Sequence, residues 1–91
     1  MRFDWDDSKS EKLKALRGLS LEEAARVFTD ASHLVIAKND DPEQFAAVGF
    51  CGSKLITVIF EYREDSEGEF IWLITYWAAS KREEKYYEER K

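Results

Sequence analysis

The chain is poor in the residues that build cofactor and disulfide chemistry: it has one cysteine, one histidine, one proline and four glycines among 91 residues. Cys51 is the lone thiol and cannot close an internal disulfide, so nothing points to an oxidising compartment. No Cys/His cluster has metal-ligand spacing, no Gly-rich loop is placed to cradle phosphate, and no Gly-x-Ser-x-Gly elbow is present. Neither a metal nor another cofactor is therefore expected. A basic excess is missing too, because 14 Lys and Arg face 19 Asp and Glu, for a net charge of −5. Free-standing nucleic-acid binders usually run the other way, since phosphate contacts supply most of their non-specific affinity. The cations that remain still leave room for a local basic site. No apolar stretch reaches the roughly 18–20 residues that span a bilayer, and Met1 to Ser10 has no apolar run behind Arg2 of the kind a secretory leader needs. A soluble cytoplasmic protein without a membrane partner is the expectation.

What is present suits one small domain over residues 1–91. Hydrophobic residues make up 44% of the chain and aromatics 14%, too apolar for a disordered segment. A chain of this size buries roughly 64% of its surface on folding, enough for one modest core.

Phe3 and Trp5 alternate with Asp4 and Asp6, the period of a short strand. Three serine–glutamate pairs spaced as capping boxes then predict three helix starts: Ser8 with Glu11, Ser20 with Glu23, and Ser80 with Glu83. The first helix carries Leu13 and Leu16 and stops at Gly18. The second has Leu21, Ala24, Ala25 and Phe28 at i, i+3, i+4 and i+7, one apolar stripe. The third covers Ser80 to Lys91. Between the last two, His33–Ala37, Phe45–Phe50, Lys54–Tyr62 and Glu69–Trp77 are rich in β-branched and aromatic residues. Asn39-Asp40-Asp41-Pro42, Cys51-Gly52-Ser53 and Glu64–Gly68 are turn or hairpin segments. The expected fold class is α+β, a small, mainly antiparallel sheet with helices packed on it, in the order β-α-α-β-β-β-β-α.

The strand Glu69–Trp77 is apolar at both parities. Phe70, Trp72, Ile74 and Tyr76 should share one face; Ile71, Leu73, Thr75 and Trp77 the other. A sheet covered by helices on one side only would alternate. The second face therefore needs a cover: the C-terminal helix, a central place in the sheet, or a partner protein.

Few residues carry chemistry on their own. His33 opens a strand, where a histidine is usually structural. Cys51 sits in a turn with no adjacent cation to activate it. The acidic groups Asp4/Asp6/Asp7, Asp40/Asp41/Glu43 and Glu64/Asp65/Glu67/Glu69 read as solvated loops and caps, although any pair could in principle do acid–base work. Lys81, Arg82, Glu83, Glu84 and Lys85 make a mixed-charge helix face. Of Tyr86 and Tyr87, one should anchor that helix and the other face solvent.

Short motifs in a fixed order add to this. They are Phe3-Asp4-Trp5-Asp6 with Lys9, then Gly18-Leu19-Ser20-Leu21-Glu22-Glu23-Ala24, Val27-Phe28 and Asp30. Next come Asp41-Pro42-Glu43, Val48-Gly49, the strand Leu55–Phe60 and Arg63. Ala79-Ser80-Lys81-Arg82-Glu83 and Tyr86-Tyr87 close the series. In this order they resemble the BrnT family, toxins of bacterial type II toxin–antitoxin pairs, over almost the whole chain. The resemblance implies a fold similar to RelE-type ribonucleases and a metal-independent endoribonuclease that blocks translation. It also implies an antitoxin partner with a DNA-binding domain, the two together repressing their own operon.

The chain departs from the family pattern at the cations. Leu16-Arg17-Gly18 stands where the family has Lys-His-Gly, and Glu43-Gln44 where it has Glu-Arg. Trp72-Leu73-Ile74-Thr75-Tyr76-Trp77 stands where it has Arg-Ile-Ile-Ser-Ala-Arg. One histidine has thus become Arg17, and three arginines have become Gln44, Trp72 and Trp77. Each lost guanidinium removes charge-assisted hydrogen bonds worth ~1.5–3 kcal/mol.

Two functions fit. In the first, an active ribonuclease uses Lys9 and Arg17 to hold phosphate and Arg63 to stabilise the transition state, with Lys81, Arg82 or a tyrosine assisting; its partners are RNA and the antitoxin. In the second, a non-catalytic relative keeps the fold as a protein-binding or regulatory module, with Trp72 and Trp77 as the contact surface and a homo-oligomer among the options.

Overall fold

The computed structural model describes residues 1–38 and 40–90. Asn39 of the expected turn and Lys91 at the expected end of the last helix lie outside the described residues. The elements run β1 (Arg2–Trp5), α1 (Asp7–Arg17), α2 (Leu21–Ala24), a 3₁₀ helix (Ala25–Thr29), β2 (Leu34–Ala37), β3 (Gln44–Cys51), β4 (Lys54–Asp65), β5 (Gly68–Ala78) and α3 (Lys81–Arg90). The five strands form one sheet in the order β1-β5-β4-β3-β2. This is the expected α+β class.

Strands β2 to β5 are joined by short connections and pair antiparallel. β1 instead lies parallel to β5, Phe3 beside Ile71 and Trp5 beside Leu73. Between the two, the helices carry the chain to β2 at the far edge and three antiparallel strands bring it back, so no hairpin joins the parallel pair. The sheet is therefore mixed, with one parallel pair at its edge.

Two of the three caps form as expected. Ser20 Oγ accepts from Glu23 N–H at 3.0 Å while Glu23 Oε1 accepts from Ser20 N–H at 3.0 Å. Ser80 and Glu83 repeat the exchange at 3.1 and 2.8 Å. The first helix differs: Asp6 caps it, accepting from Lys9 N–H at 3.1 Å, so the helix starts ahead of Ser8. A carboxylate two residues earlier also favours the positive end of the helix dipole. Gly18 ends α1 at φ +92° with its N–H on Lys14 C=O, a backbone shape that glycine adopts without strain.

The second helix tightens after one turn. Leu21, Ala24 and Val27 become fully buried, a spacing of three that matches the 3₁₀ period rather than the expected i, i+3, i+4, i+7 stripe. Ala25 and Phe28 pack at the core's margin. Gly49 on β3 makes this close approach possible. A Cβ there would sit 2.7 Å from Val27 Cγ2 and 2.9 Å from His33 Cβ.

Both hairpin loops are shorter than the sequence suggests. Cys51 pairs with Lys54 and closes β3 instead of lying in the turn, and Asp65 pairs with Gly68. The Cys51 thiol is buried and donates to Glu23 C=O at 3.1 Å. Burial pushes its pKa up, which leaves it unreactive.

α1, α2 and the 3₁₀ helix cover one sheet face, where Leu13, Leu21 and Val27 meet Val58, Phe60 and Leu73. α3 lies on the other face, next to residues of opposite parity such as Ala46 and Ile59.

Candidate functional site

The face that carries α3 is organised by an irregularity in β5. Phe60 pairs with Leu73 and its neighbour Ile59 with Thr75, so Ile74 has no partner opposite it. Such a bulge shifts the alternation of side chains by one. Tyr76 therefore joins Ile71 and Leu73 in the core. Trp77 moves to the opposite face, which it shares with Trp72. The expected split, with Trp72 beside Tyr76 and Trp77 beside Leu73, is corrected by that single extra residue. Roughly 15 Å of strand separates the two tryptophans.

At the first tryptophan, the Arg63 guanidinium lies 4.5 Å from the Trp72 ring centroid. Glu61, opposite Trp72 in the ladder, binds the same guanidinium at 2.8 Å through Nη2 and 2.9 Å through Nε. This gives a planar cation with an aromatic ring against its face and a carboxylate at its edge. The Arg63 and Glu61 side chains are 44% and 19% accessible. A partly exposed pair of this kind contributes little to stability.

At the second tryptophan, Trp77 Nε1–H donates to Glu83 Oε1 at 3.2 Å, alongside Ser80 N–H. Burial alone would raise the Glu83 carboxyl, but these donors outweigh it and hold it below the usual carboxylate range. The Thr57 hydroxyl adds to that effect; it is fully buried and meets no partner at full hydrogen-bond geometry. Arg82 stands 6.0 Å over the Tyr86 ring. Arg82, Tyr86 and Trp77 border a cleft floored by Ile36, Ala46 and Ile59.

One turn further along α3, Tyr87 is 2% exposed and Tyr86 is 37% exposed, which settles which tyrosine anchors the helix. Tyr87 packs edge-on against Phe50, and its hydroxyl donates to Asp30 Oδ2 at 2.7 Å. Asp30 also accepts from Phe50 N–H and Ser32 N–H, both at 2.9 Å. These donors, the Phe50 amide foremost, lower the Asp30 pKa. The bond to Asp30 raises that of Tyr87. His33 Nδ1 lies 2.8 Å from the Asp30 carbonyl, and the ring packs edge-on against Phe28.

The residues singled out from the sequence are thus divided. Arg63 meets Trp72, while Arg82 and Trp77 line one cleft, all on the α3 face. Lys81 is exposed at the start of α3. Arg17 is drawn to the end of α1, where Nη1 donates to the Tyr76 carbonyl. Lys9 is exposed on α1, an element packed against the opposite face. Gln44 opens β3 opposite Glu61. Glu61 and Asp30 were not singled out as site residues from the sequence. Glu61 stands two residues before Arg63, the spacing that places both on one strand face. Among the described residues, no group of three or more His, Cys, Asp or Glu is arranged to hold a metal, and no helix is long and apolar enough to cross a membrane.

Residues 5–83, nearly the whole chain, match the model of a family described as "Ribonuclease toxin, BrnT, of type II toxin-antitoxin system". No curated protein matches the chain.

Proposed function

Since this chain belongs to the BrnT family of type II toxin–antitoxin ribonuclease toxins, we propose that it is the toxin subunit of such a pair, a metal-independent endoribonuclease that stops translation in the cytoplasm. The observation that carries the reading beyond the family is the shared face of Trp72 and Trp77, with Arg63 against the first and Arg82 beside the cleft at the second. Single-stranded RNA is held by stacking its bases on aromatic rings and by placing guanidinium groups at its phosphates. The tryptophans then replace phosphate affinity lost with the family's arginines by stacking affinity.

In a reaction without a metal, the nucleophile at hand is the ribose 2′-hydroxyl next to the scissile phosphate. It gives its proton to a base as it attacks phosphorus, and the 5′-oxygen leaves with a proton taken from water. Glu61 is the proton acceptor in this scheme. Binding of a phosphate to Arg63 frees its carboxylate from the ion pair. Arg63 stabilises the charge that develops on the phosphoryl oxygens. Arg82, with Lys81 next to it, holds a phosphate further along the strand. Arg17 has a structural part in this reading, fastening α1 to β5, and Lys9 lies away from the RNA path. The partner is an antitoxin with a DNA-binding domain, and the pair represses its own operon, as the family pattern supports.

The test is induced expression of the chain alone in a bacterial host, with growth and RNA integrity followed together, and incubation of the pure protein with RNA in a chelator. Growth arrest with cleaved RNA, chelator-resistant and reduced about 10²–10³-fold by Arg63→Ala, supports the reading.

A second reading has its own observation. Arg63 and Trp77 already have their polar groups engaged by Glu61 and Glu83. A non-catalytic relative that binds protein through this face fits that state, and well-folded protein that leaves growth and RNA untouched would select it.

A further inference from the structure

β2 is a free edge of the sheet. In its ladder with β3, Lys38 N–H donates to Gln44 C=O at 3.1 Å. Antiparallel ladders alternate. Leu34 and Ile36 therefore turn their amide groups to β3, while Val35 and Ala37 turn theirs outward. Edges are usually blunted by a charge, a proline or a bulge. Leu34-Val35-Ile36-Ala37 is short but carries none of these, and Val35 is 46% exposed.

The cleft beside this edge says what would cover it. Leu34 and Ile36 share a face with Val48 and Ala46, and Leu34, Ile36, Ala46 and Ile59 form an apolar floor. Its rim is cationic, with Lys38, Arg82 and Arg90 lining it. Arg82 and Arg90 have no ion pair among the described residues, and Lys38 reaches only the exposed Asp40, at 3.9 Å. Glu83, the other acid in the lining, is committed to Ser80 and Trp77.

We infer that β2 takes an extended acidic segment of a partner protein as a sixth strand. Val35 and Ala37 supply its backbone hydrogen bonds, alternate apolar side chains lie over the floor, and flanking carboxylates meet Lys38, Arg82 and Arg90. Strand addition of this kind draws affinity from main-chain bonds and specificity from alternate side chains. The charge decides between occupants. A second copy paired β2 to β2 about a two-fold axis would set the three cations of each rim against those of the other. RNA would use the rim and the rings of Trp77 and Tyr86, but not the amides of Val35 and Ala37. The inference rests on the antitoxin reading for the partner's identity alone, and it gives that partner a way to cover Trp77 and Arg82 as it binds.

The test uses the full chain and three probes: an acetylated seven-residue peptide with a Val-Thr-Val centre and two glutamates at each end, its counterpart with lysine in place of each glutamate, and a single-stranded RNA oligonucleotide. Binding is followed by amide NMR shifts. The acidic peptide should shift and protect the Val35 and Ala37 amides and bind at least about tenfold more tightly than the lysine peptide. Val35→Pro removes the outward N–H at a position where an edge strand tolerates proline; it should weaken the acidic peptide at least about tenfold and leave RNA binding unchanged. Should that variant fail to fold, an acidic peptide N-methylated at alternate residues takes its place and should bind as weakly. The inference is overturned if neither peptide binds, if both bind alike, if the shifts map elsewhere, or if RNA alone occupies the cleft. None of these readouts needs ribonuclease activity, so failure of the enzyme reading and failure of this one remain distinct.

Discussion

The hydroxyl of Tyr87 donates to Asp30 Oδ2 at 2.7 Å, tying the C-terminal helix to the segment that leads into β2. Tyr87 is the only residue of α3 that is buried, so this bond and the Phe50 contact fix how the helix lies on the sheet. Tyr87→Phe keeps the ring and removes the donor from a carboxylate. The expected result is a melting temperature lower by roughly 5–10 °C, with helix content near that of the parent by circular dichroism.

The same carboxylate makes stability depend on acid. Asp30 ionises below its ordinary value of 3.8. Glu23, hydrogen-bonded by Lys14 and by Ser20, is lowered from 4.5 to about 2. A carboxyl whose folded pKa is depressed contributes its full stability above the unfolded pKa and loses it as pH falls through the folded one. Urea midpoints should therefore hold down to about pH 5 and fall between about pH 4 and pH 2. Asp30→Asn and Glu23→Gln should each flatten that fall; an unchanged slope in both would refute the assignment.

Gly49 lies where the 3₁₀ helix presses on β3. A methyl group there must displace Val27 Cγ2 and His33 Cβ, and it would stand 3.3 Å from Asp30 Oδ2. Gly49→Ala should cost about 1–3 kcal/mol by overpacking, read from denaturant unfolding. A second substitution that makes room, Val27→Ala, should recover less than its own cavity takes away.

Stacking on Trp72 is separable from the charge of Arg63. Trp72→Ala should weaken single-stranded RNA by about 1–3 kcal/mol, while Trp72→Phe keeps most of the affinity. Arg63→Lys preserves the charge but loses the planar fork, so it should reduce cleavage more than binding. Fluorescence titration and single-turnover cleavage on the same RNA separate the two effects.

The caps at Ser20 and Ser80, the stop at Gly18, the runs of β-branched and aromatic residues and the element order all follow from interactions within a few residues, and the chain states them openly. The ordered motifs also carried the family, because they span the chain. Two capping residues, Asp6 and Ser8, compete within one turn, so local signals alone do not fix the start of α1. Both hairpins pair further than their turn residues indicate, because strand pairing extends until the turn can hold no fewer residues.

Long-range pairing decided the rest. The sequence determined that Glu69–Trp77 would be a strand apolar at both parities. Only the ladder with β4 determined that Ile74 would bulge and bring Trp72 and Trp77 to one face. The sequence supplied Arg63, Arg82, Asp30 and Glu61 as separate charges. Glu61 with Arg63 and Arg82 with Tyr86 are local pairs, but only tertiary packing could pair Tyr87 with Asp30 or set Arg63 over Trp72. Local propensity acts over a turn of helix or a pair of residues; register, strand order and the face a side chain occupies are set by the hydrogen bonds and burial of the whole sheet at once.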